Sequence, residues 1–348
     1  GEGPMNGKHY TSLTGGYSQH ASALGAVTRV SVRELPILKG LSIKRLVLAP
    51  GSLRAPHWHA NATELSYCVR GEVLVSIVGN GSTFSAFRVT AGQMFVAESG
   101  ALHAIENIGE SEAEFIIGFR HEQPEDFALQ GAFGAMTDAV LGNAYGLPAS
   151  AFAAFPRTTE GAYLVGRKGP PVVPPTADEG NPHRFDIEGE SAPINLGYGS
   201  AKLARSQFWP ALKDIAMYSL TVTPDGMREP HWHPETAEMG YVAAGRARMT
   251  ILNPDASTDT WDLAPGDVYF IPRAYPHHIE VLGGDEIRFL IFFDQPMPGD
   301  IGFRDSTTAF ADPVLAATFG VTTAQLPAFP KTWADPLIVP RVNPQGRG

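Results

Sequence analysis

RAPHWHANATE at residues 54–64 recurs as REPHWHPETAE at residues 228–238, and the reading of that pair decides the fold. The offset is 174 residues. It also relates Gly71 to Gly245, Gly92 to Gly266, His103 to His277, Phe119 to Phe293, Asp138 to Asp312, and Phe155-Pro156 to Phe329-Pro330. A register held over about 100 positions marks a duplicated domain rather than a chance motif. Within each copy, segments such as EVLVSIVG (72–79) and ARMTILN (247–253) are short, rich in β-branched residues and bounded by Gly, Pro, Asn or Asp. These are features of strands between turns, and many in series predict a sandwich or barrel. An Ala-rich stretch follows each set of strands, DAVLGNAYG (138–146) and DPVLAATFG (312–320). Each predicts a short helix with Asp capping its start and Gly ending it. KGPPVVPPTADEGNPH (168–183) is dense in Pro and Gly, cannot pair within a central strand and reads as a linker. The predicted organisation is all-β, with a first domain over 20–167 and a second over 184–348.

The repeated stretch also carries the chemistry. Alternate residues of a strand share a face, so His57 and His59 point one way and Trp58 the other. Glu64 follows a short turn, and His103 arrives after a Gly-bounded hairpin; His231, His233, Glu238 and His277 repeat the set. A lone His-x-His is more often an accident of a surface or core. A Glu and a third His at fixed spacings, all present twice, point to two metal sites per chain. Three imidazoles and a carboxylate, with positions left for water or substrate, suit an octahedral divalent metal. The carboxylate favours Mn²⁺ or Fe²⁺, with Cu²⁺, Ni²⁺ and Zn²⁺ as alternatives.

Composition narrows the setting. With 43% apolar and 18% charged residues, the chain is of the soluble globular kind. A net charge of −10 repels nucleic acid and anionic membranes and favours a small-molecule role. Cys68 is the only cysteine, so no intrachain disulfide forms. That fits a reducing, cytoplasmic setting, with secretion as the alternative if a presequence has been removed. The opening GEGPMNGKHY has no basic-then-apolar signal pattern, and no apolar run is long enough to span a bilayer.

Gly51, His57, His59, Glu64 and Gly71 resemble the first cupin motif, and Gly92, Gly100, His103 and Asn107 the second, with Glu98 where that motif has Pro. The second half keeps His231, His233, Glu238, Gly245, Gly266, Pro272 and His277. It departs at Asp225, at Ala274 in place of Gly, and at Val281 in place of Asn, none of them a ligand. VRELPILKG (32–40), the Arg-x-x-His-Trp-His pattern of both halves and GRARMTI (245–251) are similar to the bicupin oxalate decarboxylases, over roughly residues 27–320. The resemblance implies two tandem cupin jelly-roll barrels with short helices after each. It further implies manganese, a small carboxylate substrate, dioxygen as co-catalyst or co-substrate, and a trimeric or hexameric homo-oligomer.

Arg54 and Arg228 stand three residues before the first ligand of each set, an odd offset that a turn or bulge would turn inward. Arg presents a planar fork matched to a carboxylate, and in the resembling family this Arg contacts oxalate. Trp58 and Trp232 face away from the ligands; in the family such residues stack between subunits. The family's proton donor is a Glu on a lid loop within a Ser-Glu-Asn-Ser element. Here RHEQPEDFALQ (120–130) lacks that element, leaving Glu125 as the nearest counterpart and Glu122 as the alternative. Ile291 lies near where some relatives carry a Glu, with His278 a poor substitute, so the first site is expected to be the catalytic one. An oxidase or dioxygenase on the same scaffold is the competing activity, and a binding or storage bicupin the non-enzymatic one.

Overall fold

Ser52–His59 and Gly226–Trp232, the strands that carry the repeated motif, each lie within a sheet packed as one wall of a two-sheet barrel. The computed structural model describes residues 7–344. In the first barrel one sheet runs Asp126–Ala128, Ser52–His59, Leu102–Asn107, Glu72–Gly79, Thr83–Thr90, with Leu164–Gly166 also on Ser52–His59. The other runs Arg184–Phe185, Met94–Ala97, Glu64–Arg70, Ala113–Phe119, Ser42–Leu48, Gly25–Val30, Tyr17–Ser22. All pairings are antiparallel, and the chain repeatedly crosses from one sheet to the other, as in a jelly roll. The second barrel repeats the plan around Gly226–Trp232 and Glu238–Ala244.

Period-two alternation places the site. Along Leu102–Asn107 the inward residues are His103, Ile105 and Asn107; along His277–Leu282 they are His277, Ile279 and Val281. Ile105 and Ile279 join the cores with Phe87, Phe95 and Phe115, and with Trp261, Tyr269 and Phe289, respectively. Each such fully buried aliphatic side chain contributes about 1.5–3 kcal/mol. The ligands are therefore carried by strands pinned on both sides of them. The Asn that the second barrel lacks has a local task in the first: Asn107 donates to Leu48 O and Ser111 O and accepts from Gly109 N–H.

The two helices form as expected, Asp138–Tyr145 and Asp312–Phe319, each ended by a Gly in the left-handed region, Gly146 at φ 65° and Gly320 at φ 67°. Their starts differ from expectation. The cap of the first is Thr137, whose Oγ1 accepts from Val140 N–H, and Asp138 is already helical and pairs with Arg157. The second is entered from Ala311 with no side-chain cap, and Pro313 holds its first turn.

The domain limits also move. Residues 168–183 form no strand, but they are not a free connection: Ala177 is buried, its carbonyl accepts from Arg88 N–H, and His183 O accepts from Val96 N–H. The first unit runs Leu13–Gly189 and takes back Trp209–Asp214, where Trp209 stacks on Phe185 and donates to Pro182 O. Tyr10–Ser12 instead pairs with Asp267–Ile271 in the second unit. Proline removes ladder donors but not packing, so a Pro-rich stretch that forms no strand still packs on the first barrel. Residues 1–6 of the opening stretch GEGPMNGKHY lie outside the described residues. Among the described residues no helix is long and apolar enough to cross a membrane.

Candidate metal centres

Two residues of Ser52–His59 oppose one of Leu102–Asn107: His57 pairs with His103, and Arg54 with Ile105. The same bulge sets His231 against His277 and Arg228 against Ile279. This extra residue resets the alternation, so Arg54 faces inward together with His57 and His59 despite the odd spacing. Pro56 and Pro230, which lack the N–H a ladder would use, sit in the bulges. The bulge also frees carbonyls: His57 Nδ1–H donates to Ala55 O at 2.7 Å, and His231 Nδ1–H to Glu229 O at 2.7 Å.

Every ligand imidazole is held this way at Nδ1. His103 donates to Ala101 O (2.8 Å), His277 to Tyr275 O (2.9 Å), His59 to Asp126 (2.6 Å), and His233 to Asp300 (2.8 Å). Each ring therefore turns Nε2 to the centre. His59 and His103 Nε2 lie 2.8 and 3.1 Å from Glu64 Oε1; His233 and His277 Nε2 lie 2.8 and 3.2 Å from Glu238 Oε1. The donor atoms of each set fall within 4.8 Å of one another, and all eight residues are buried. His231 and His233 Nε2 face each other at 3.2 Å with both Nδ1 atoms already held by acceptors, an arrangement that a metal ion at the centre satisfies. Adjacent ligands roughly 3 Å apart match metal–ligand bonds near 2 Å at right angles. The residues fit a divalent metal in both barrels.

Electrostatics prepares the ligands. Burial, then Arg54 and Arg228 respectively, pushes His57 and His231 well below the usual histidine range, into the neutral form that binds metal. Burial would raise Glu64, but His103 and His59 outweigh it and keep the carboxylate ionised; His277 and His233 do the same for Glu238. Burial lowers His233, but Asp300 lifts it to about 9, a measure of how strongly that carboxylate raises the basicity of its ligand. The second oxygen of each ligand Glu takes a hydroxyl from a different source. Ser66 donates to Glu64 Oε2 (3.0 Å), and Tyr269 to Glu238 Oε2 (2.6 Å). Gly240, at the place of Ser66, makes this possible, since a Cβ there would lie 2.1 Å from the Tyr269 ring.

The walls of the two cups differ more than their ligands. In the first, Arg54 and Lys44 are both buried, and each lies 3.5 Å from Asp126 Oδ2, whose side chain keeps 23% exposure. Burial depresses the Lys44 ammonium, and Asp126 offsets part of that. In the second, Arg228 pairs closely with Asp300, 9% exposed, and Tyr218 stands where the first has Lys44. Arg54 also donates to Tyr163 O (3.2 Å), and Arg228 to Leu337 O (3.0 Å). Each cup encloses a cavity of ≈ 20 Å³, about the volume of a single water probe.

Arg54 and Arg228 thus join their ligand sets, and Glu125 does not. Its side chain is exposed, while its backbone N–H is tied to Asn61 Oδ1; the next residue, Asp126, is the one that reaches the site. Glu122 accepts from Gly40 N–H, away from the ligands. His278 faces outward to Glu280, and Ile291 lines the second cavity. Trp58 stacks on Phe127, and Trp232 meets Phe303 edge-on. Asp126 and Asp300 were missed from sequence although they obey the 174-residue offset. Lys44 has no repeat partner and left no such signal.

The cupin family profile matches residues 18–151 and 186–326. The chain is 30% identical to the oxalate decarboxylase OxdC of Bacillus subtilis over 287 residues, 80% of this chain and 74% of that one. It is 25% identical over 313 residues to a probable oxalate decarboxylase of Arthroderma benhamiae, 85% of this chain and 75% of the relative. Oxalate oxidase 1 of Hordeum vulgare is 36% identical over 104 residues, 28% of this chain and 52% of the relative. The structure of B. subtilis oxalate decarboxylase at pH 4.6 superposes with a TM-score of 0.84 at 25% identity, covering 97% of this chain and 88% of that one. A structure of the same enzyme studied for its Mn(II) centres gives 0.85 at 26%, covering 97% and 90%.

Proposed function

Because the chain belongs to the cupin family, as a bicupin of the oxalate decarboxylase kind, we propose that it is a manganese enzyme whose first cup converts oxalate to formate and carbon dioxide. One observation carries this reading: beside the first ligand set and its small cavity, two buried cations share a single, partly exposed Asp126. Such a wall favours a small dianion. Arg54 would bind one carboxylate through its fork, and Lys44 would add a point charge. A bound metal would supply a Lewis acid for the same dianion, with dioxygen as a co-catalyst that is not consumed. The C–C bond breaks, carbon dioxide leaves, and the remaining carbon takes one proton to become formate. In this reading Glu125 supplies that proton once residues 120–125, ahead of the Asp126–Ala128 strand, turn it inward. In this reading Arg228, held by Asp300, serves the second centre without binding substrate.

The exposure of Glu125 favours a second reading. The carboxyls next to the cavity, Glu64 and Asp126, are both held ionised, so no neutral acid is in place. Oxalate, dioxygen and two protons would then give two carbon dioxide and hydrogen peroxide. Oxalate turnover by Mn-loaded protein at mildly acidic pH, with formate and peroxide quantified together, separates the two. Formate without peroxide supports the decarboxylase, peroxide without formate the oxidase, and neither product removes oxalate as substrate. A homo-oligomer is also proposed, supported by exposed Val140, Tyr145, Val314 and Phe319 on the two helices.

A further inference from the structure

In the second barrel, three carboxylates that no ligand set uses meet beneath the bulge. Glu229, Asp305 and Asp335 each bring a donor oxygen within 4.8 Å of the others. Glu229 is 3% exposed, and its Oε1 has no hydrogen-bond partner; neither has Asp305 Oδ1 nor Asp335 Oδ2. Asp335 is fixed in place, because its other oxygen accepts from Leu337 N–H at 2.9 Å. Three converging, buried carboxylate oxygens are unfavourable unless a metal cation or a shared proton lies among them, and burial with the neighbouring Asp335 carboxylate pushes Glu229 up to about 8. Gly302 leaves the space: a Cβ there would come 2.2 Å from Glu229 Oε1 and 2.7 Å from Asp305 Oδ1.

The first barrel shows the same place without the charges. The 174-residue offset puts Ala55, Gly131 and Gly161 at the three carboxylate positions and Ala128 at that of Gly302. There the Ala128 methyl fills the volume, so close to Gly161 that a Cβ on the glycine would lie 2.1 Å from it. The carboxylates and the missing methyl therefore occur together in one barrel and are absent together from the other.

We propose that Glu229, Asp305 and Asp335 form a third metal site, for a hard divalent cation of the calcium class, distinct from both His-Glu centres. An all-oxygen set selects hard cations over those that prefer imidazole or thiolate. Three side chains from separate segments suit the irregular coordination of Ca²⁺ better than the strict octahedron of Mg²⁺. The adjacent cavity of ≈ 490 Å³, lined in part by Glu229, Glu280 and Arg304, gives the ion a route in. The site would brace the second centre directly, since the Glu229 carbonyl is the one that holds His231 Nδ1.

The test is metal content of full-length Mn-loaded protein equilibrated with millimolar Ca²⁺ and then desalted, read by elemental analysis. Native protein is expected to retain one Ca²⁺ per chain in addition to its Mn. Asp305→Asn and Asp335→Asn should each lower calcium affinity at least tenfold with Mn content unchanged. Gly302→Ala removes no carboxylate and should abolish calcium uptake while leaving a folded chain, because Gly302 has ordinary negative φ. Absence of calcium from native protein, or equal uptake by native protein and all three variants, overturns the site. Retention in Glu64→Gln and Glu238→Gln confirms that the ion is not held by the His-Glu centres.

Discussion

The two cups hold the same four ligand types on the same bulged strands, with Nδ1 of every histidine tied to a carbonyl or an aspartate, yet their walls have diverged. Lys44 corresponds to Tyr218, Tyr163 to Leu337, and the loosely shared Asp126 to the Asp300 of the close Arg228–Asp300 pair. The two barrels share what the metal needs, together with the arginine beside it, and differ in the rest of the wall. Metal geometry tolerates little change, because four donors must converge on one point. A wall residue changes charge without moving a ligand. The hydroxyl on the ligand Glu shows the limit of that freedom: Ser66 with Phe95 became Gly240 with Tyr269, and the hydrogen bond survived the exchange.

If the walls decide function, matched substitutions should have unequal effects. The largest is expected at the arginines. Arg54→Lys should lower kcat/KM for oxalate about 100-fold through loss of the bidentate fork, whereas Arg228→Lys should change it less than about threefold. Steady-state kinetics with metal analysis checks both, and equal losses would break the comparison. Next come the aspartates: Asp300→Asn should weaken Mn binding in its cup by about 10- to 100-fold, as removal of a partner that orients a ligand does. Asp126→Asn should do less to its own cup, because its side chain is more exposed and Arg54 and Lys44 both lie 3.5 Å from it. Metal titration of the single variants reads the difference. Lys44→Met should raise KM for oxalate about tenfold, some 1.4 kcal/mol, while Tyr218→Phe leaves it unchanged.

Two smaller effects concern stability. Ala274 stands at φ 67° where the first barrel has Gly100 at φ 83°. Ala274→Gly should therefore stabilise the chain by about 1 kcal/mol, seen as a shift in denaturant midpoint. Cys68 is replaced at the matching position by Val242, buried in its own core. Cys68→Val should cost less than about 1 kcal/mol. Burial pushes this thiol up to about 12, so it is neutral at pH 8, and iodoacetamide should leave the native chain unmodified.

Much of this was legible in the sequence because the ligands repeat at a constant offset and lie on strands whose alternation is simple. The inward turn of Arg54 was not, since a bulge breaks the alternation; Pro56 and Pro230 were its only local mark. Asp126 opens a three-residue strand and Asp300 lies just before its two-residue counterpart, neither within a motif of its own, and their role depends on their contacts with His59 and His233. Lys44 sits beside Arg45 in the strand Ser42–Leu48, and that this amine is the one turned inward is seen only once its partner Asp126 is in place. The choice of Glu125 over its neighbour was a question of which side chain faces in, and composition carries no information on that.

The division of labour between the cups is tested most directly by oxalate turnover of Glu64→Gln beside Glu238→Gln, each with its metal content measured. Both variants should lose about half of the bound Mn. Turnover should fall at least 100-fold in Glu64→Gln and less than tenfold in Glu238→Gln. The reverse order, or equal losses at equal metal content, would contradict a catalytic first cup.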